Sequence, residues 1–377
     1  MPKVYADYAA GAPIMPEVLD AMLPYFGASY GNPSAAYDLG IEARRAVEDA
    51  RGIIAESIGA NPDEIVFVSS GCEADSSIIR GVLSRNPGGR FVTDTVEHKT
   101  VQEACEWLSG HGWLVDRLTV DQFGRTSPAA LSEALRGRPA ALVSIMYGNN
   151  EVGTLSDVAD LARIAHEYSV LFHSDCVQAY QKIPIDVKAL DLDAASFSGH
   201  KIGAPSGIGF LYLREGIEID PLIFGSQEGY RRGGTENVAY IVGLAKAVEI
   251  RSRNLEERVA KTAENQRRLI DGLRGIGRLN GPEPGPDRLA NNVSFCFGGV
   301  QGEELLELLN LNGIAASTGS ACNTSDGEPS HVLLAIGLTP EEANSTIRFT
   351  VSEDLSPADV DYIIAKTKEA VALLRRD

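Results

Sequence analysis

The sequence has no apolar run approaching the roughly 18 residues of a membrane-spanning helix. It has no CxxC pair and no HExxH, so neither a disulfide framework nor a zinc site is expected. Its cysteines are few, scattered and odd in number: Cys72, Cys105, Cys176, Cys296 and Cys322. Free thiols of this kind suit a reducing compartment, and the cytoplasm is the expected location. The start, Met1-Pro2-Lys3-Val4-Tyr5-Ala6-Asp7, does not read as a signal peptide. Positive charge is also in short supply. Lys and Arg number 34 against 52 Asp and Glu, a net charge of −18, which argues against direct binding of nucleic acid or an anionic membrane. Both phosphate-loop patterns, GxGxxG and GxxxxGK[ST], are missing.

What remains is a globular composition: 377 residues, 44% hydrophobic and 23% charged, enough for more than one domain. Pro16 opens a helix to about residue 25, and residues 41–58 carry apolar side chains at helical spacing. From residue 65 strands alternate with helices. Strands are expected at 65–68, 91–95, 114–118, 140–146, 170–173, 194–197 and 209–213. Helices are expected near 73–84, 98–109, 128–136 and 156–168. This pattern predicts an α/β fold, a mainly parallel seven-stranded sheet flanked by helices, with ligands at the carboxyl ends of its strands. After residue 235 the texture changes. A charged helical run over 236–274 precedes strands at 292–297, 314–317 and 346–351 and helices at 302–310, 329–336 and 357–375. The expected organisation is a large domain over 14–235 and a smaller α+β domain over 236–377, joined by the N-terminal arm 1–13.

Several strand ends carry chemistry. Lys201, in Ser196-Phe197-Ser198-Gly199-His200-Lys201, lies between two strands that read as buried. Burial disfavours the ammonium form and favours a nucleophilic amine, whereas an ordinary lysine would snorkel to the surface. Ser69-Ser70-Gly71-Cys72 joins a strand to a helix, either as a plain cap or as a phosphate-binding turn. His98 ends another strand, where it can cap a helix, stack on a ring or shuttle a proton. Asn149 and Asn150 in Tyr147-Gly148-Asn149-Asn150-Glu151-Val152-Gly153 are turn residues or hydrogen-bond donors to a ligand. Asp175, with Gln178 three residues on, is a cap, an ion-pair partner or the holder of a cationic heterocycle. Cys322 lies in a small, polar stretch, Ser317 to Gly327, where a thiol is more exposed to reagents than in a core. Arg348 alternates with Ile347 and Phe349, so it faces away from them and can grip a carboxylate or join a surface ion pair. Together a lysine, an acid and a helix-start turn suggest pyridoxal 5'-phosphate.

On its motifs the chain resembles the cysteine desulfurases, pyridoxal-phosphate enzymes of the class V aminotransferase group with the fold type I architecture. The pieces that carry the resemblance are SFSGHK at 196–201, YGNNEVG at 147–153, TVEHK at 95–99, STGSAC at 317–322, EPSHVL at 328–333 and STIRF at 345–349. The resemblance runs along essentially the whole chain. It implies that Lys201 binds the cofactor covalently, Asp175 holds its ring nitrogen, His98 stacks on the ring, and Gln178 contacts the ring hydroxyl. It implies that Gly71, Cys72, Ser198 and His200 cradle the phosphate. Thr235 would reach the phosphate of a neighbouring subunit, which implies a homodimer. Asn150 and Arg348 would hold the carboxylate of L-cysteine, and Cys322 would take its sulfur as a persulfide for an acceptor protein. Three positions depart from the pattern. Cys72 stands where threonine is usual, Ser76 where asparagine is usual, and Gln227-Glu228-Gly229-Tyr230 replaces Gln-Glu-Arg-Gly. Alternative readings are a selenocysteine lyase or related β-lyase, and a non-catalytic sulfur-relay scaffold.

Overall fold

The computed structural model describes residues 4–318 and 328–376. The chain starts with a two-residue strand β1 (Val4–Tyr5) and helix α1 (Pro16–Met22), which begins at a proline whose missing N–H costs nothing there. Helix α2 (Asp38–Glu56) buries Ala43, Val47, Ala50 and Ile54, one face at spacings of three and four. The alternating region then unfolds as β2 (Ile65–Val68), α3 (Gly71–Ser84), β3 (Arg90–Asp94), α4 (Lys99–Gly110), β4 (Leu114–Leu118), α5 (Pro128–Leu135), β5 (Leu142–Ser144), α6 (Val158–Glu167), β6 (Leu171–Asp175), β7 (Ala194–Ser198) and β8 (Gly209–Leu213).

These seven strands form one sheet in the order β2-β8-β7-β6-β5-β3-β4. Only β8 runs against the rest, pairing antiparallel with both β7 and β2. The connection from Ser198 to Gly209 holds a single short helical turn, Gly199–Lys201, too little for the crossover a parallel return requires. Gly203 and Gly207 turn that connection with φ of 82° and 91°, which glycine adopts without strain. Successive strand residues serve opposite faces. Ile65 and Phe67 join the core under α2, α5, α6 and a later helix, whereas Val66 and Val68 join the core under α3 and α4. Phe197 and Phe210 stack across β7 and β8 with centroids 4.3 Å apart. Burying both faces demands the near-continuous apolar runs that made these strands legible.

The remaining elements are α7 (Val238–Ser252), α8 (Leu255–Leu273), β9 (Arg278–Leu279), β10 (Asn292–Cys296), α9 (Gly302–Leu311), β11 (Ile314–Ala315), β12 (Ser317–Thr318), α10 (His331–Ala335), α11 (Pro340–Asn344), β13 (Thr346–Thr350) and α12 (Pro357–Leu374). The sheet β12-β13-β10-β9 is antiparallel and shares a core with α8, α9 and α12. The arm pairs with this part of the chain: β1 runs parallel to β11, and Asp7 bridges Thr350. Two expectations change in detail. The helical run after residue 236 breaks at Asn254, whose backbone leaves the helical region (φ −133°, ψ 37°). The strand expected at 314–317 divides, because Ile314–Ala315 pairs with the arm and Ser317–Thr318 with β13. Among the described residues, no helix is long and apolar enough to cross a membrane.

Candidate active site

The candidate residues lie beyond the carboxyl ends of β2, β3, β5, β6 and β7. Each strand delivers its residue within a few positions of its end: Gly71 and Cys72 after β2, His98 after β3, Asn150 after β5, Asp175 at the end of β6 and Lys201 after β7. The short turn after β7 carries Lys201 towards the arm, where its Nζ donates to the carbonyls of Ala9 (2.6 Å) and Ala10 (3.0 Å). Gln178 donates from Nε2 to the same Ala9 carbonyl, at 3.0 Å.

Asp175 is buried, and its Oδ1 accepts the Val177 N–H at 2.8 Å. Burial raises its affinity for a proton, while His98, the Val177 amide and Lys201 pull the other way. A buried acid held against a cationic neighbour is arranged to balance positive charge. His98 caps α4: its Nδ1 accepts the Thr100 N–H at 3.2 Å. That leaves the proton of the neutral ring on Nε2. Burial lowers the imidazole's affinity for its second proton, opposed by Asp175. Both residues make the capping contacts that were one of the alternatives for them.

Behind Asp175 lies a buried polar chain that the sequence did not single out. His173 Nδ1 meets Ser144 Oγ at 2.9 Å and its Nε2 meets Ser196 Oγ at 2.9 Å, with Asp75 at 3.7 Å. Burial pushes His173 down to about 3, so the ring is neutral. Asp75 is raised well above the usual carboxylate range by burial and then by Asp175, and its Oδ1 makes no hydrogen bond among the described residues. The place of His173 two positions before Asp175 on the same strand was the available signal for this chain.

Around the helix start, Ser70 caps α3 by accepting the Glu73 N–H at 3.2 Å, and Glu73 accepts the Ser69 N–H and the Arg232 guanidinium. Gly71 has no room for a side chain, since a Cβ there would stand 2.6 Å from Val177 Cγ2. Thr100 Oγ1 donates to Cys72 Sγ. Ser198 Oγ and His200 Nδ1 are 2.8 Å apart, and burial followed by the charges of Lys201 and Lys182 pushes His200 down to about 4. Thr235 is exposed and lines a separate cavity of about 210 Å³ with Ser69 and Arg232.

Arg348 is 2% exposed, on the face of β13 away from Ile347 and Phe349, which join the core. It donates to Asp7 Oδ1 (2.9 Å) and to the Asn150 carbonyl (3.1 Å), while its Nε has no partner among the described residues. Asp7 was not anticipated as its partner; its place in an arm that returns to β13 was the available signal. Asn149 is a turn residue whose Oδ1 accepts the N–H groups of Glu151 and Val152. Cys322 lies outside the described residues. Beyond it, His331 Nε2 donates to the Glu97 carbonyl at 2.9 Å.

An α/β chain with a buried acid, an imidazole and an amine gathered at the strand ends of a mostly parallel sheet is built as an enzyme. It belongs to the aminotransferase class-V family, whose model matches residues 4–363. A cysteine desulfurase IscS of Methanosarcina thermophila is 44% identical over 377 residues, covering 99% of this chain and 93% of that protein. A putative cysteine desulfurase IscS 1 of Bacillus subtilis is 42% identical, covering 93% of each. Among solved structures, a NifS-like protein superimposes with a TM-score of 0.92 at 34% identity, over 99% of this chain and 100% of that one. A structure described as SspA in complex with cysteine gives a TM-score of 0.82 at 35% identity, over 93% of this chain and 99% of that one.

Proposed function

We propose that this chain is a cysteine desulfurase that uses pyridoxal 5'-phosphate to convert L-cysteine to L-alanine and passes the sulfur to Cys322. The convergence of Lys201, Asp175 and His98 at the carboxyl ends of β7, β6 and β3 carries the reading. The residues present fit the cofactor. Asp175 supplies a buried carboxylate, Gly71 lets the start of α3 pack closely against Val177 and Ser198, and Ser198, His200 and the start of α3 supply donors. Cys72 in the cradle gives a weaker donor than a hydroxyl. When bound, the cofactor supplies an electron sink for the charge left at the substrate α-carbon.

The protein's own groups do the rest. Arg348, whose Nε has no partner among the described residues, and Asn150 orient the substrate carboxylate. Lys201 Nζ takes the α-proton, and His98 serves in proton transfer from its Nε2 side. The Cys322 thiolate attacks the substrate sulfur. An S–S bond forms, the substrate C–S bond breaks with its electron pair going to the β-carbon, and protonation there together with return of a proton from Lys201 Nζ to the α-carbon yields alanine. The persulfide then passes to an acceptor protein.

The working form is a cytoplasmic homodimer in which Thr235 reaches the partner's phosphate site. Each chain comprises a large domain over 14–235 and a small one over 236–377 with the arm 1–13. Alanine release from L-cysteine tests the reading. Wild type is expected to release alanine and carry one extra sulfur on Cys322, and Lys201→Ala and Cys322→Ser are expected to lose turnover. Full turnover of L-cysteine by Cys322→Ser would instead favour the β-lyase reading.

A further inference from the structure

Lys182 follows Gln178 by four residues, and the turns between them bring its Nζ to Gln178 O (2.9 Å) and Gln178 Oε1 (3.0 Å). Its setting is unfavourable for a cation. Burial, then the charges of Lys201, Arg251 and Arg348, push it down to about 7, with Glu353 acting in the opposite direction. Lys182 and Lys201 line the same cavity of about 40 Å³, together with Arg251, Arg258 and Glu353. A lysine held among cations needs a compensating contact, and among the described residues its amine finds two acceptors on Gln178.

The consequence falls on the Gln178 amide. In its ammonium form Lys182 can only donate, so the atom facing it is the carbonyl oxygen, and the charged amine opposes a flip of the amide. Its Nε2 therefore faces the opposite side, where it shares the Ala9 carbonyl with Lys201 Nζ. The amide N–H groups and the Lys201 amine thus stand side by side on the site.

We propose that Lys182 is a positioning residue that locks Gln178 with its N–H groups turned towards the cofactor, so that Gln178 donates to a ring oxygen beside Lys201. This rests on the assignment of Lys201 and Gln178 to the cofactor site. It assigns Lys182 no contact with substrate or cofactor.

The test is the dissociation constant of pyridoxal phosphate from cofactor-free protein, read by fluorescence quenching, for wild type and variants. Lys182→Met is expected to weaken binding roughly tenfold, the scale of one charge-assisted hydrogen bond. Lys182→Arg, which keeps the charge and the donors, is expected to restore most of it. In a Gln178→Ala background, Lys182→Met is expected to change little, because the group it orients is gone. Gln178→Glu provides a route that does not depend on the folding of a Lys182 variant. It presents an oxygen to the ring oxygen and is expected to bind more weakly than Gln178→Ala. Equal binding by Lys182→Met and wild type, or additive losses in the double variant, would overturn the proposal while leaving Lys201 as the attachment point. A wild-type protein that forms no adduct at Lys201 would overturn the assignment beneath it.

Discussion

Replacing Glu151 by glutamine should change how stability depends on pH, and the direction follows from the burial of one carboxyl. Glu151 is 3% exposed, its Oε2 accepts the Ser330 hydroxyl, and Arg348 is its charged neighbour. Burial outweighs both and pushes it from 4.5 to about 7. The folded protein therefore binds this proton more tightly than the unfolded chain does. The associated stability is fully present below 4.5 and is lost as pH rises through 7. A displacement of this size corresponds to about 3 kcal/mol between the two ends of that window. Glutamine mimics the protonated acid and does not titrate. Urea unfolding of wild type and Glu151→Gln at intervals from pH 4.5 to 8 gives the difference directly. The two should be close in stability at the acid end, and the variant should gain on wild type by about 3 kcal/mol towards pH 8. Asp94, pushed up to about 6, titrates in both proteins and cancels in the difference. Parallel stability curves would refute the reasoning.

Arg348→Met removes a nearly buried guanidinium with one donor that has no partner among the described residues. Steady-state kinetics with L-cysteine should show kcat/KM falling at least about a hundredfold, the scale of a lost charge-assisted bidentate contact. Gly71→Ala places a Cβ 2.6 Å from Val177 Cγ2, so equilibrium dialysis should show weaker cofactor retention, with stability lowered by about 1–3 kcal/mol. Cys72→Thr exchanges a weak thiol donor for a hydroxyl beside Thr100, and the same dialysis should show tighter cofactor binding. His173 acts in the sense opposite to Glu151. Its depressed affinity for a proton gives stability that is full above 6.5 and lost as pH falls towards 3, visible as steepening acid denaturation that His173→Gln should flatten.

The strands of the large sheet were legible because burial on both faces imposes apolar runs that little else produces. Their ends then placed Asp175, His98 and Lys201 without further information. Residues of the smaller sheet were harder to read. Arg278 and Leu279 pair with only two residues of β10, too short a run to leave a pattern. Helix α11 was missed although Thr339 and Glu342 form a reciprocal cap, a signal obscured by its length of five residues. The partners of the site residues were the least legible part. Asp7 meets Arg348 across 341 positions, a relation with no spacing in the sequence, and the four-residue step from Gln178 to Lys182 does not reveal which atoms meet.

The central claim is that Lys201 carries the cofactor. Holoprotein is reduced with borohydride, digested, and mapped by mass spectrometry for a pyridoxyl-modified lysine. The account predicts the modification on Lys201 and on no other lysine, and its disappearance in Lys201→Ala. A reduced adduct on Lys182, Lys99 or any other lysine, with Lys201 unmodified, would contradict it.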